Sequence, residues 1–362
     1  MQTTFTAASP QTVKRWSANL AIDTTDKGYF DRKFVGKSDD NVIQQLTDLE
    51  SDQGDTIKFD LAMRLRQRPV TGDNRIEGKA ERLKFYQDEV KIDQSRSPVS
   101  PGGRMTRKRT LHNLRAVAKD RLSDYWSAYI DQMHFCYLSG MRGINEDFIE
   151  PVDWTGHADN PFQAPDSGHI LFAGAATSAG ALAASDRMTR ALIERASVRA
   201  SMIAARDPQA ASMLPVTVAG EKHYVCVMSD FQEHDLRTAD TAGWIDIQKA
   251  KAAAVGNASE FFKGGLGMIK NVVLHAHSNA IRFMGGAGSA VACGRALFLG
   301  RQAGVVAYGM PGGGRFMWSE VPIDHGNDLE IAAGTIIGCK KTRFNDRDFG
   351  VISLDTAAAD PN

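Results

Sequence analysis

The residues whose types and spacing best suit chemistry lie in FFKGGLGMIKNVVLHAH, residues 261–277. Gly264, Gly265 and Gly267 could cradle a phosphate, and His275 and His277, two apart in a β-like run, would leave one face of a strand as a pair of metal ligands. The cradle fails on order. A dinucleotide fingerprint places its glycines after a strand and ahead of a helix, whereas these precede the strand; a Walker loop ends in Gly-Lys-Ser/Thr, whereas Lys263 comes before the glycines. GMPGGGRF at 309–316 lacks both the lysine and a following helix, and reads as glycine turns.

A metal needs a third ligand. DHGND offers Asp324, His325 and Asp328, and NDRD offers Asp346 and Asp348. The set is superficially similar to metallophosphatase ligands, but those motifs run Asp-x-His, Gly-Asp-x-x-Asp, Gly-Asn-His, and here the histidine pair comes late and the rest is scrambled. Strand-end histidines bonded to backbone are the plainer reading. A metal-dependent hydrolase using His275, His277 and the Asp324/His325 region stays open as an alternative. For nucleophilic catalysis there is no Gly-x-Ser-x-Gly elbow. Cys136, Cys226, Cys293 and Cys339 lie far apart, without a C-x-x-C pair, and read as reduced, buried, small apolar side chains. No catalytic residue, metal ligand or cofactor is therefore expected.

The bulk composition narrows the class. A chain of 362 residues with 43% hydrophobic residues can bury a sizeable core in two or three domains. With 43 basic and 43 acidic residues it carries no excess of the kind that tight nucleic-acid or membrane-surface binding needs. MQTTFTAASPQTVKRW has no apolar core behind a basic start, and no apolar run approaches the ~18 residues of a spanning helix, so a soluble, non-exported chain with no membrane partner is expected.

Residues 1–53 are polar and irregular, with a short helix possible at DDNVIQQLTDLE, and read as an extended arm. Then Ile57, Phe59, Leu61, Met63 and Leu65 alternate with polar or small residues, a strand pattern that turns at TGDN and returns through LKFYQDEVKIDQ. A long, charged two-stranded ribbon is marginal alone. Its apolar stripe must lie on another subunit or fold back on its own domain. From Thr106 the period changes: Leu111, Leu114, Ala118, Leu122, Tyr125, Tyr129 and Met133 predict one helix of about 30 residues ending at Gly140, roughly 45 Å long. Arg104, Arg107, Lys108 and Arg109 crowd its first turns, as a solvated face or a seat for a partner's anion. Beyond a loop-rich stretch at 141–180, a helix is expected at SDRMTRALIERASVRASMIA with Ser185 as its cap, strands at KHYVCVM and NVVLH, a helix at DIQKAKAAAV, and closing strands over the last forty residues. GSAVACGRALFLG, interrupted by Arg295, reads as buried core. Strands and helices mix without βαβ alternation, so the class is α+β.

That order of parts, with KFVGKSDDNVIQQLTDLESDQGDTIKFDLAMRLRQRPVTGD, FYQDEVKIDQSR, HDLR at 234–237, RALFLGRQAG and GCKKTRFNDRDFGVISLDTA, resembles the major capsid proteins of tailed bacteriophages, the schitovirus-type family of the Johnson (Hong Kong 97-like) fold. The resemblance runs from about residue 34 to 356. It implies an N-terminal arm at 1–53, an E-loop hairpin at 54–104, a spine helix at 105–140, a peripheral domain at 141–240 and 321–362, and an axial domain at 241–320. It implies a late structural protein, not an enzyme, that forms homopentamers and homohexamers in the host cytoplasm. The virion shell would enclose double-stranded DNA without sequence-specific binding, with a separate scaffolding protein, a portal protein and a decoration protein as partners. Arg64, Arg66, Arg68, Asp73, Arg75, Arg107 and Arg109 would then make contacts between subunits. An encapsulin-like cellular compartment is the alternative on the same fold.

Overall fold

The run from Arg104 to Gly140 folds as two helices where its periodicity predicts one. The structure is a computed structural model that describes residues 10–47, 54–63, 65–206, 211–218, 220–239, 244, 265–310 and 314–361. Helices α1 (Pro10–Lys27) and α2 (Tyr29–Lys33) precede α3 (Arg104–Arg109) and α4 (Leu114–Ser139). Thr110 closes α3 in an extended conformation, and the Asn113 side chain opens α4 by accepting the Ala116 N–H at 3.3 Å. Leu111 is fully exposed. None of the described residues covers it, so the stripe that would hold a continuous helix to the body begins only beyond it. Gly140 ends α4 at φ 75°, where a side chain would strike the Gln163 carbonyl.

The 26 residues of α4 span about 39 Å, and its last eleven, 129–139, are buried on every side. Polar groups there fix what packs against it. The Asp131 carboxylate accepts the N–H groups of Tyr29 (2.7 Å) and Phe30 (3.0 Å), capping α2, and Gln132 accepts from Ile149 N–H at 2.8 Å.

Two expectations for the N-terminal segment are overturned. Residues 10–27 and 29–33 are helical, not irregular, because α1 has a partner: Leu20 is buried, and Lys27–Asp124 (2.7 Å) and Lys119–Asp23 (2.5 Å) tie α1 to α4. DDNVIQQLTDLE supplies a strand, Ile43–Leu46, instead of a helix. It pairs in parallel with Gly304–Tyr308, and Val42 and Ile43 are buried beside it.

Among the described residues two large sheets form. In the six-stranded sheet, Asp328–Lys341 is the longest strand and pairs with Gly304–Tyr308, Met317–Ile323 and Asp93–Val99. The eight-stranded sheet runs Ile170–Phe172, Val351–Ala357, Val291–Leu299, Glu221–Met228, Val272–Ala276, Gly267–Ile269, with Arg282–Gly285 and Val216–Val218 at its margins. Both faces of this sheet are covered, so its strands read as unbroken apolar runs. Val225, Val227, Leu297 and Leu299 face the cluster around α4. Cys226, Met228, Phe298 and Leu354 face α5 (Arg190–Arg206) through Leu192, Ile193, Ala196 and Ile203. Ser185 is not the α5 cap: it lies in a turn five residues ahead of the helix, and between them Arg187 bridges to Ala357 and pairs with Asp235 at 2.9 Å. The helix expected at DIQKAKAAAV lies outside the described residues. All four cysteines are free and buried.

Arg295 enters this apolar sheet as its one deep cation on the Val291–Leu299 strand. Its guanidinium donates to both Asp355 oxygens at 2.7 Å and to the Ser139 carbonyl at 2.9 Å, so it joins two strands to the end of α4. Asp355→Ala is expected to lower unfolding free energy by about 3–5 kcal/mol, because it leaves a buried guanidinium unpaired. The double variant Arg295→Met/Asp355→Leu should lose much less, as read from urea denaturation midpoints.

Candidate assembly surface

The hairpin is buried on its own subunit at the base, and its distal loop stands exposed. Thr56–Ala62 pairs antiparallel with Phe85–Lys91, setting Ile57 opposite Val90. Both are buried against Val305 and Ala307, and Phe59 meets Phe344 edge to face at 5.9 Å. Polar clamps reinforce the seat. Lys340 pairs with Asp88 at 2.5 Å, Asp88 also accepts the Arg343 N–H at 3.1 Å, and the Asn160 side-chain amide accepts the Lys91 N–H at 3.1 Å and donates to its carbonyl at 2.8 Å. The return segment LKFYQDEVKIDQ, expected as one strand, breaks at Ile92; its last two residues open a second strand, Asp93–Val99, that joins the six-stranded sheet.

Beyond Ala62, among the described residues up to Lys84, no strand forms, and the loop folds on itself. Glu81 accepts the N–H groups of Arg66 (2.9 Å) and Gln67 (2.7 Å), and Asn74 donates to the Thr71 carbonyl at 2.8 Å in the expected TGDN turn. Leu65, Ile76, Leu83 and Phe85 stand between 53% and 73% exposed. Three of these lie on the loop and Phe85 at the adjoining strand end, an exposed apolar group of the kind that marks a contact surface.

Arg66, Arg68, Asp73 and Arg75 are exposed on this loop, while Arg64 lies outside the described residues. Arg66 reaches the Ala204 carbonyl at 3.3 Å, near the end of α5. Arg107 and Arg109 sit apart from them on α3. There Arg107 donates to the Asn327 carbonyl and Arg104 to the Gly326 carbonyl, each at 3.0 Å, so part of that basic cluster holds a turn of its own subunit.

The histidine pair faces one way, as its spacing predicts, but into an aromatic nest. His275 is buried, with its ring 5.5 Å from Phe34, and His277 lies 4.5 Å from the Tyr29 ring with Nδ1 accepting the Asn279 N–H at 3.1 Å. Asp324 and His325 form a turn of the other sheet, against Arg104 and Asn327. The structure does not bring the four together, and among the described residues no three His, Cys, Asp or Glu side chains gather as a metal site. Gly267 begins a short strand, and Gly264 lies outside the described residues.

Sequence reading missed the titratable groups under the N-terminal helices. Asp31 pairs with Arg315 at 2.8 Å. Burial pushes His134 down to about 4, against the pull of Asp31 and with help from Arg315, and burial with Lys33 pushes His277 down to about 4. Burial raises Asp131 to about 7, opposed by the two backbone N–H groups it accepts.

A clamped base under an exposed apolar and basic loop, with the histidines buried in an aromatic nest, suits a structural protein. The similarities agree. The sequence profile of the phage capsid protein family matches residues 4–360. The major capsid protein of Pseudomonas phage KPP25 is 26% identical over 359 residues, 91% of each chain. The capsid of Ralstonia phage GP4 superposes with a TM-score of 0.90 at 55% identity over 100% of both chains. The capsid asymmetric unit of Cyanophage Pam1 gives 0.70 at 20% identity over 99% of this chain and 97% of that one, a likeness of fold. This chain belongs to the phage capsid protein family, with the Hong Kong 97-like fold, and its role is structural. The hydrolase and cellular-compartment alternatives draw no support from these similarities.

The buried groups give the subunit a signed pH response. Between His134's ordinary 6.5 and its folded value of about 4, the unfolded chain holds a proton that the folded one does not. Stability therefore falls as pH drops through that window, by about 3 kcal/mol at full extent for this group. His277 acts in the same direction. Asp131, raised from 3.8 to about 7, gives the opposite slope between those values. Urea midpoints at pH 7 and 4.5 should differ less in His134→Gln than in the wild type, and more in Asp131→Asn.

Proposed function

We propose that copies of this chain assemble as pentamers and hexamers into an icosahedral phage head around packaged double-stranded DNA, without chemical turnover. The exposed apolar hairpin tip carries the reading, since it is of use only when a neighbouring subunit covers it. Residues 1–53 serve as the arm, 54–104 as the E-loop, 105–140 as the spine, 141–240 with 321–362 as the peripheral domain and 241–320 as the axial domain. Arg66, Arg68, Asp73 and Arg75 steer the E-loop to its neighbour by charge, with Arg64 beside them in sequence and Arg107 and Arg109 at a second contact. Equal numbers of acidic and basic residues suit a wall that must hold DNA and later release it. Assembly in the host cytoplasm proceeds with a separate scaffolding protein and a portal, and a decoration protein can join the finished shell.

Electron microscopy and sedimentation velocity of the protein, expressed alone and with its scaffolding protein, should show rings, tubes or closed shells. A monomer or dimer under both conditions would refute the assembly role. Deleting Val70–Lys79, which removes only the tip, should leave circular dichroism and thermal midpoint unchanged while abolishing closed shells. Normal shells from that deletion would remove the hairpin from assembly.

A further inference from the structure

Two surfaces on opposite sides of the eight-stranded sheet are complementary in both polarity and charge. The first is the outer face of α5, where Ala191, Arg195, Val198 and Met202 recur at helical spacing, Val198 at 55% and Met202 at 48% exposure. Beside it runs a groove of about 640 Å³ with an apolar floor that includes Leu171, and with Arg195, Arg199 and Lys270 on its rim. The one acid there, Glu194, is paired with Arg190 at 3.0 Å. Arg199 is anchored by donating to the Gly168 (3.0 Å) and Ser167 (3.1 Å) carbonyls, so the rim is positive and partly fixed in place.

The second surface is the loop INEDFIEPVD, residues 144–153, which has four acids and no lysine or arginine. Ile144, Ile149 and Val152 are 42%, 39% and 65% exposed, beside exposed Glu146, Asp147 and Asp153. The loop is pre-formed. Phe148 is buried under the Arg142 guanidinium at 4.5 Å, and that guanidinium donates to the Asn145 and Glu150 carbonyls. Gln132 holds Ile149 from α4.

The loop therefore belongs to the α4 side of the sheet and the groove to the α5 side, so they cannot meet within one subunit. We propose that the 144–153 loop of one copy docks on the α5 groove of the next, with Ile149 and Val152 over Val198 and Met202 and the loop's acids toward Arg195 and Lys270. Such a contact is heterologous, joining different patches of identical chains, the kind that forms a ring when its rotation closes. This inference rests on the assembly role proposed above and names a contact separate from the hairpin tip.

Charge reversal tests it in the full chain. With wild-type shells as reference, Arg195→Glu/Lys270→Glu should cut the sedimenting shell fraction at least tenfold while circular dichroism stays unchanged. Adding Asp147→Lys/Asp153→Lys to that chain should restore shells. Cysteines give a second reading, because the four native thiols are buried. Oxidised shells of Val152→Cys/Met202→Cys should yield a ladder of covalent multimers on a non-reducing gel, and either single variant should yield none. Wild-type shells combined with indifferent reversals, unrescued but folded double reversals, or no ladder would overturn the contact and leave the assembly role standing. A wild type that never assembles would overturn both.

Discussion

The fold turns on a single buried guanidinium. Arg295 sits in the middle of an apolar strand, and an unpaired cation there would be prohibitive. Its bidentate bond to Asp355 aligns two neighbouring strands, and its third bond, to the Ser139 carbonyl, fixes where α4 ends against the sheet. A well-packed apolar pair in its place would give similar stability, so its contribution is to specificity of arrangement more than to net free energy. Once the end of α4 is fixed, Asp131 eight residues earlier decides where α2 docks, and Gln132 decides where the 144–153 loop runs.

The same logic explains why the N-terminal segment orders. Taken alone, residues 10–33 are too polar and too short to hold helices in water. Bound to α4 by Asp23, Lys27 and Asp131 and to the 315 loop by Asp31, they become part of the core. Those contacts join residues about a hundred or more positions apart, so no local pattern could reveal them. This is why an irregular arm was the natural reading of the sequence.

Local pattern served where burial was one-sided or complete over a whole element. The period-two run folds as a strand as far as Ala62, and the apolar strands around Val225 and Val273 and the three-and-four spacing through α4 fold as their periods require. Pattern misled where two states share it. Leu111 continues the α4 period and yet meets nothing, so the helix breaks before it; the VIQQL segment suits either helix or strand until Gly304–Tyr308 offers it an edge. Arg295 was visible as an interruption of GSAVACGRALFLG, and a buried arginine demands a carboxylate, but the sequence could not say which of 43 acids supplies it. The hairpin was legible as a charged ribbon. That its base packs at home while its tip does not depends on Val305, Ala307 and Phe344, far away in sequence.

Polar groups inside and apolar groups outside thus have one explanation. Buried charge fixes the arrangement of helices and sheets, each partner specified by directional hydrogen bonds. Exposed apolar side chains at the hairpin, on α5 and on the 144–153 loop lie on pieces joined to that frame. Rigid presentation matters because a subunit that must meet identical neighbours in fixed directions gains affinity from surfaces ordered before contact. A free subunit with these patches would be prone to indiscriminate association were they flat and uncharged. The tip and the α5 rim carry cations, and the 144–153 loop carries acids, so the exposed apolar patches differ in charge.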